Sequence, residues 1–502
     1  MKKRVLYLFT CMAFLQVNAQ NPLTLDDCRR LALTHNKTIA VANESVKAAT
    51  ELKKAAFTQF LPNFSATGAY TWNQKNISLL SEDQHLPVVN YNADGSMNIP
   101  SSVNNTWVPS GGTYVPLDAS GTPFDPNKNP EKLMWKSYAL LPKDAMEFEM
   151  HNIFAGTIGF TQPIFMGGKI REMYRLAKSN EKLALASKDS KTYELMTETD
   201  EAYWRVVSIK NKYNLAKEYR NLLAKMDSDL TIMFETGVAT KSDQLKVKVK
   251  LNEAEVMLIK AENGYKLSRM ALNQLCGLPI DEPTELADNN LENEIDAPKL
   301  IPMDQAINNR PEIKQLEQMQ NMAASNKNLM VSRFLPTVAL TGNYLISNPN
   351  VYNGYENKFG GMFNVAVVAH VPLFHFGEKI HTLNAAKAQQ RIAEMKMDEA
   401  REKIELQINQ DAFKSSESFK KRTATRKNVE NAVENLQNAT TGFNEGVITS
   451  TDLLGAQTAW ISAKSEDIDA AIEAKLSALY LEKSMGIMNI PTIESAQNKS
   501  KK

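Results

Sequence analysis

Apolar residues recur every seven positions through a long stretch of this chain. The stretch 170–234 contains no glycine and no proline, and neither does 378–441. In the first stretch, apolar or small residues form an unbroken repeat at Leu195, Ala202, Ile209, Ala216, Leu223 and Leu230. A repeat of seven is typical of helices that pack as coiled coils. At the usual helical rise, a continuous helix over either stretch would be about 100 Å long.

A second helix is predicted after each long stretch. Gly237 and Gly446 mark the turns, because glycine tolerates the positive φ that ends a helix. The segments that follow carry a similar apolar pattern. The pattern therefore predicts two antiparallel helical hairpins, at 169–276 and 378–485. On the helices alone, a cytoskeletal or spectrin-like rod is an equally good interpretation.

Four shorter stretches alternate between apolar and polar residues with a period of two, which is typical of strands. They lie at 64–72, 153–165, 338–346 and 363–374. Their aromatic residues fall near the ends, as in the tilted strands of an outer-membrane barrel. Four strands cannot close a barrel, and a sheet in lipid tolerates no free edge. The chain is therefore expected to assemble with copies of itself.

The second half of the chain repeats the first. Three motifs return: Phe60-Leu61-Pro62 as Phe334-Leu335-Pro336, Thr67-Gly68-Ala69-Tyr70 as Thr341-Gly342-Asn343-Tyr344, and Gln162-Pro163-Ile164-Phe165 as Val371-Pro372-Leu373-Phe374. The spacing from Pro163 to Gly237 equals the spacing from Pro372 to Gly446. Such register over long distances indicates a duplication, which decides the architecture.

The duplication divides the chain into two structural repeats. We expect the first at 20–300 and the second at 301–486, with a C-terminal tail at 487–502. Each repeat would hold a helix, a strand pair and a long helical hairpin. The first repeat carries an insertion between its strands, at 73–152, which is rich in turn-forming residues and is expected to be irregular and extracellular.

The N-terminal residues 1–19 have the features of a secretory signal peptide. Lys2, Lys3 and Arg4 precede an apolar run, and small residues follow it. Cys11 raises the alternative of a lipoprotein signal, but the apolar run continues past it. No later stretch reaches the roughly 18 apolar residues of a spanning helix. The net charge of +1 argues against a nucleic-acid partner.

Few residues suggest chemistry. Cys28 and Cys276 could pair in an oxidising periplasm, although two unlinked buried thiols are the favoured interpretation. His370, His375 and His381 straddle a strand end and a helix start, so we expect no metal site there. No nucleophile elbow, phosphate loop or zinc-protease motif occurs. We therefore expect no enzyme activity, no catalytic residue and no cofactor.

Taken together, these features resemble the TolC-type outer-membrane efflux family, also called outer membrane factors. The resemblance rests on the signal peptide, the duplicated unit, the Pro-Ile-Phe-Met-Gly-Gly motif at 163–168 and the two Gly-Val-x-x-x-x-Asp tips. It implies an α+β membrane protein whose protomer contributes four strands to a trimeric twelve-stranded outer-membrane β-barrel. A long periplasmic α-helical, coiled-coil barrel would continue that β-barrel.

The same resemblance implies a function and partners. The protein would be the exit duct of a tripartite efflux or type I secretion system, in the cell outer membrane with a large periplasmic portion. It would act as a homotrimer in outer-membrane lipid, with a periplasmic adaptor (membrane fusion) protein and an inner-membrane pump of the RND or ABC type. The alternative is a periplasmic coiled-coil structural protein.

The hairpin tips correspond to the family's periplasmic entrance. Asp452 matches the first of two aspartates that ring the closed aperture, with Asp243 at the other tip, and Phe443 and Ile448 stand at the family's latch positions. Alternatively, the two aspartates are N-caps of the return helices. The residues expected to dock the adaptor are Gly237, Val238, Ala239, Thr240, Gly446, Val447, Thr449 and Ser450.

Overall fold

A computed structural model describes residues 22–288, apart from 88–89, 92, 95–96, 99–106, 111 and 117–137, and then residues 291, 299–352 and 356–491. The expected signal peptide and most of the expected tail lie outside the described residues. The chain divides into a helical unit, Met1–Gln59, Gly167–Leu335 and Pro372–Lys502, and a strand unit, Phe60–Met166 and Pro336–Val371.

The helical unit contains two long hairpins and two pairs of shorter helices. The described helices are α1 Leu25–His35, α2 Lys37–Thr58, α3 Lys169–Glu235, α4 Lys241–Cys276, α5 Met303–Asn309, α6 Pro311–Ser332, α7 Glu378–Asn444 and α8 Ser450–Ser484. Helices α3 and α7 each have 67 residues, which is about 100 Å of helix. The hairpins α3–α4 and α7–α8 occupy the stretches that the seven-residue repeat indicates.

The strand unit contains one sheet of four long strands and several short ribbons. Its strands are β1 Asn63–Trp72, β2 Ile77–Ser78, β3 Gln84–Pro87, β4 Asn90–Tyr91, β5 Met97–Asn98, β6 Trp107–Ser110, β7 Thr113–Pro116, β8 Tyr138–Leu141, β9 Glu147–Phe148, β10 Asn152–Phe165, β11 Thr337–Asn348 and β12 Gly360–His370. The α+β fold with internal duplication is thus confirmed.

Two details of the strand prediction are wrong. The strand expected at 363–374 ends at His370, because its partner β11 begins at Thr337, directly opposite His370. The insertion at 73–152 is not wholly irregular. Its described parts pair as the two-stranded ribbons β2–β9, β3–β8, β4–β5 and β6–β7.

The long strands form an antiparallel sheet in the order β1-β10-β11-β12, so β1 and β12 are its edges. The pairing places side chains of one kind on each face. One face carries large apolar groups, among them Phe64, Tyr70, Ile158, Tyr344, Phe363 and Val365. All six of these side chains are exposed. The other face carries Ser65, Thr67, Thr157, Thr341, Asn343 and Asn364 with alanines, glycine and a few apolar residues.

The two hairpins pack against each other near their tips. One buried cluster joins Leu223, Leu230 and Val247 of the first hairpin to Phe443 and Leu453 of the second. Leu223 and Leu230 belong to the seven-residue repeat and are 0% and 2% exposed. Burying each such side chain stabilises the hairpin pair by about 1.5–3 kcal/mol.

Cys28 and Cys276 are both buried free thiols. The thiol of Cys276 donates to the backbone carbonyl of Cys28 at 3.7 Å. The hydrogen bond with Cys276, followed by burial, raises the pKa of the Cys28 thiol, which therefore stays protonated at neutral pH. The favoured interpretation of two unlinked thiols agrees with this geometry.

The duplication also governs the contacts inside the helical unit. Asn36, between α1 and α2, donates its amide to the carbonyl of Leu275 at the end of α4. In the second repeat the same position is Arg310, whose guanidinium donates to the carbonyl of Ser484 at 3.1 Å, at the end of α8. Both contacts satisfy carbonyls that a helix end leaves unpaired.

Arg310 is only 6% exposed, and its guanidinium also reaches the carbonyl of Lys483 and the side chains of Glu312 and Gln407. We predict that Arg310→Ala lowers stability by about 2 kcal/mol or more, because it leaves buried acceptors unpaired. Thermal unfolding in detergent, followed by circular dichroism, measures this loss. Arg333→Ala is the matched control, since the Arg333–Glu378 pair is half exposed and should contribute less than about 1 kcal/mol. Equal melting of the two variants would contradict the prediction.

Candidate functional site

Both hairpin tips close with the same backbone geometry. Gly237 follows α3 and Gly446 follows α7, with φ of 79° and 75°. After each glycine, a valine N–H donates back to the helix: Val238 to the carbonyl of Met233 and Val447 to that of Gly442, both at 2.8 Å. This left-handed turn ends the long helix and places the following valine at the apex.

Each return helix starts with a threonine cap. Thr449 accepts the N–H of Asp452 at 3.2 Å, while the Thr449 N–H donates to the Asp452 carboxylate at 3.1 Å. Thr240 likewise accepts the N–H of Asp243 at 3.2 Å. The expectation that the aspartates themselves are N-caps is therefore wrong. They are the third helical residues of threonine capping motifs, a Thr-x-x-Asp pattern that the sequence already contains.

The two aspartates differ in their surroundings. Asp243 is half-buried, and its carboxylate accepts hydrogen bonds from Thr240, from Lys246 and, across the two tips, from the Ser450 hydroxyl at 3.3 Å. Asp452 is exposed and bonded to Thr449. The threonine hydroxyls lower the pKa of both carboxyls, so both are charged at neutral pH. Asp452 is therefore the more exposed of the two charges.

The expected latch positions lie inside the tip. Phe443 is 7% exposed and packs in the cluster that joins the two hairpins. Ile448 is half-buried over Gly442, where an added Cβ would lie 3.4 Å from the isoleucine Cγ2. Leu453 is buried as well. The structure therefore does not bring Phe443 and Ile448 to the surface beside Asp452.

The expected docking residues separate into exposed and buried groups. Val238 and Val447 are each 75% exposed at the apex, next to the exposed Gly237 and Gly446. Thr240 and Thr449 are exposed caps, whereas Ala239 is half-buried in the tip cluster and Ser450 is 7% exposed. The surface that the tips offer to another molecule is thus centred on two valines.

The polar face of the sheet is a second candidate that strand periodicity predicts only in outline. Asn343 of β11 donates its amide to the side chain of Asn364 in β12 at 3.4 Å. Gly159 of β10 leaves the space for Asn343, since an added Cβ would lie 2.1 Å from the asparagine oxygen. This pairing depends on strand register, which alternation alone does not determine.

The four long strands contain no Asp, Glu, Lys or Arg. In the described part of the chain, no three His, Cys, Asp or Glu side chains come together in a way that could hold a metal ion. Among the same residues, none of the helices has the length and apolarity to cross a bilayer.

The fold matches several solved outer-membrane channels. CmeC of Campylobacter jejuni superposes with a TM-score of 0.70 at 16% identity, over 95% of this chain and 89% of that chain. The MtrE channel of Neisseria gonorrhoeae, solved in its open state, gives 0.68 at 16% identity over 93% and 91%. VceC from Vibrio cholerae gives 0.64 at 16% identity over 92% and 96%.

No curated protein matches the sequence significantly. The family model described as outer membrane efflux protein does match it, at residues 144–278 and 303–487, which is more than half of the chain. The resemblance suggested by the duplicated motifs is confirmed. The chain belongs to the outer membrane efflux protein family, and its place is the outer membrane.

Proposed function

We propose that this protein is the outer-membrane exit duct of a tripartite efflux or type I secretion system. It conducts substrates passively, after an inner-membrane pump and a periplasmic adaptor have delivered them, and converts none of them chemically. The observation that carries the proposal is the four-stranded sheet. Its strands contain no Asp, Glu, Lys or Arg, its faces are mainly apolar and mainly polar, and neither edge pairs with another described strand.

The apolar face suits lipid. Phe64, Ile158 and Phe363 are each more than 60% exposed on it, and aromatic pairs such as Tyr70 with Phe154, with ring centroids 4.9 Å apart, lie toward the strand ends. Aromatic girdles at both ends of an apolar band are typical of outer-membrane strands. In water, a patch of this size would favour aggregation.

The polar face suits a water-filled lumen. Its hydroxyl and amide groups hydrogen-bond to water and carry no net charge. Charged cargo would therefore meet little electrostatic resistance inside the barrel. A periplasmic rod is surrounded by water, where a sheet with a large exposed apolar face is unfavourable. This disfavours the alternative of a coiled-coil structural protein.

The unpaired edges call for copies of the chain. The duplication supplies a template, because β10 and β12 are equivalent, as are β11 and β1. The observed pair Ile158–Tyr344 between β10 and β11 then translates into Val367 of one copy opposite Tyr70 of the next. In this register the apolar faces of the two copies coincide.

Three copies make a duct, whereas two do not. Two copies would close an eight-stranded barrel, whose interior is just wide enough for side chains to fill. Three copies give twelve strands, and leave a passage. We therefore propose a homotrimer embedded in outer-membrane lipid.

The helical unit also shows an apolar stripe that its own chain leaves open. Leu245, Val249, Val256 and Ile259 lie on one side of α4 and are each at least half exposed. The sequence pattern assigns them to a coiled-coil seam. We infer that this seam forms between copies and builds the periplasmic helical barrel.

The tips suit the roles of adaptor docking and gating. The exposed valines at the apex offer small apolar contacts to the adaptor. Asp452, repeated in three copies, would place a ring of negative charge at the entrance, and counter-ions would have to screen it.

The first prediction concerns assembly. Mass measurement of the detergent-solubilised protein should give a single trimeric species, because only copies can close the sheet. A monodisperse monomer in detergent would contradict the proposed duct.

The second prediction concerns docking. The double variant Val238→Asp, Val447→Asp should reduce export in a strain lacking the wild-type gene by about tenfold, because two charges would be buried at the apex against the adaptor. The double variant should still form trimers. Leu185→Asp is the matched control, since Leu185 is an exposed leucine of α3 far from the tip. Undiminished export by the double variant would exclude apolar docking at the valines.

The third prediction concerns the entrance. Asp452→Asn removes the charge but keeps the acceptor for Thr449, so it should weaken cation preference in planar bilayers about twofold or more. In the wild type, the preference should fade as pH falls through the lowered pKa of Asp452. Asp243→Asn, at the half-buried carboxylate, should change the preference much less. An unchanged reversal potential in Asp452→Asn would place the entrance elsewhere.

A further inference from the structure

Phe376 lies in an unusual backbone conformation. In the described part of the chain it is the single non-glycine residue with a positive φ, 44°. It follows β12 and precedes Gly377, the cap of α7, whose φ is 85°. Bulky residues avoid this region because of steric strain, so a phenylalanine here needs a compensating role.

The equivalent junction in the first repeat uses glycine. Counting from Pro163 and Pro372, Phe376 corresponds to Gly167, whose φ is 60°. Gly167 is buried. The backbone path is therefore the same in both repeats, while the side chain differs by a whole aromatic ring.

The neighbours of Gly167 explain the glycine. An added Cβ there would lie 2.8 Å from the Leu335 Cβ and 2.8 Å from the Ser332 carbonyl oxygen. Both residues belong to the turn at the end of α6. The first β-to-α junction is thus covered by the α-to-β turn of the second repeat, and the contact has no room for a side chain.

Among the residues that the structure describes, no turn covers Phe376 in the corresponding way within one chain. By the spacing of the repeated Phe-Leu-Pro motifs, Ser332 corresponds to Thr58 and Leu335 to Leu61. Leu61 is 50% exposed and Thr58 is also exposed, while the Phe376 side chain is 92% exposed. Each copy therefore exposes both Phe376 and the turn at Thr58–Leu61 that corresponds to its expected partner.

We propose that the Phe376 ring of one copy packs against the Thr58–Leu61 turn of a second copy. The inference rests on the proposed assembly and adds a specific seam to it. Within a chain, Gly167 packs against the end of α6 with no room for a side chain. Between chains, the Phe376 ring would fill the corresponding contact. The two seams are therefore not interchangeable, and the ring marks the one that must form between copies.

Lipid is a less suitable occupant for this ring. Leu373 and Phe374 are also highly exposed, and their first-repeat equivalents, Ile164 and Phe165, are exposed as well. Those two positions therefore share a lipid- or solvent-facing side in both repeats. The Phe376 ring touches the Phe374 ring edge to face, with centroids 4.8 Å apart. In the duplication, however, Phe376 shares its position with Gly167, a residue that protein buries.

Phe376→Gly gives a test that separates the proposal from a local role. Glycine relieves the strained φ and removes only an exposed ring contact with Phe374, so a residue acting only within its own chain would be close to neutral on substitution. The proposal expects a clear loss for the assembly. The temperature at which detergent-solubilised trimers dissociate should fall by about 5 °C or more. Leu373→Ala, at a position 89% exposed and outside the seam, should dissociate like the wild type. An equal or higher dissociation temperature for Phe376→Gly would overturn the proposal.

A cross-link locates the partner surface directly. In a Cys28→Ser, Cys276→Ser background, the pair Phe376→Cys and Leu61→Cys should form disulfides between copies under mild oxidation. Leu373→Cys with Leu61→Cys should not. Intact trimers without the cross-link would overturn the seam and leave the assembly standing. A monomeric wild-type protein would instead contradict the proposed homotrimer. If the cysteine pair disturbs assembly, Phe376→Gly alone decides.

Discussion

Strand edges that lie in a bilayer must be hydrogen-bonded. Hydrocarbon offers no partner to a free backbone N–H or carbonyl, and each unpaired group costs several kcal/mol. The sheet β1-β10-β11-β12 has two such edges and one predominantly apolar face. A single chain would therefore leave backbone groups unpaired in a membrane. The helical unit likewise leaves an apolar stripe of α4 exposed.

The internal duplication indicates how copies of the chain would pair. Within one chain the first repeat already contacts the second, through β10 against β11 and through Gly167 against the end of α6. The second repeat presents the same surfaces outward. The contacts between the two repeats of one chain can therefore be repeated between neighbouring copies. The proposed Phe376 seam would distinguish the contact between copies from the contact within a chain.

Much of the fold could be predicted from periodicity, because long coiled-coil seams and alternating strands are local patterns. The end of β12 could not, since it depends on where its partner begins. The burial of Phe443 and the partial burial of Ile448 could not be predicted either, because a motif match gives no information about tertiary contacts. Conversely, the capping box of Thr449 and Asp452 could be predicted, because its two residues lie three positions apart in the sequence. The exposed valines could be predicted as well, because each directly follows a turn glycine.

The sheet edges of neighbouring copies should pair, in the register that the duplication sets. Cysteine cross-linking across that edge tests it most directly, in a background without Cys28 and Cys276. Val367→Cys with Tyr70→Cys should yield covalent dimers and trimers and nothing larger. Val368→Cys with Tyr70→Cys, on opposite faces, should yield far less. No cross-link in correctly inserted protein, or a ladder continuing beyond three copies, would contradict it.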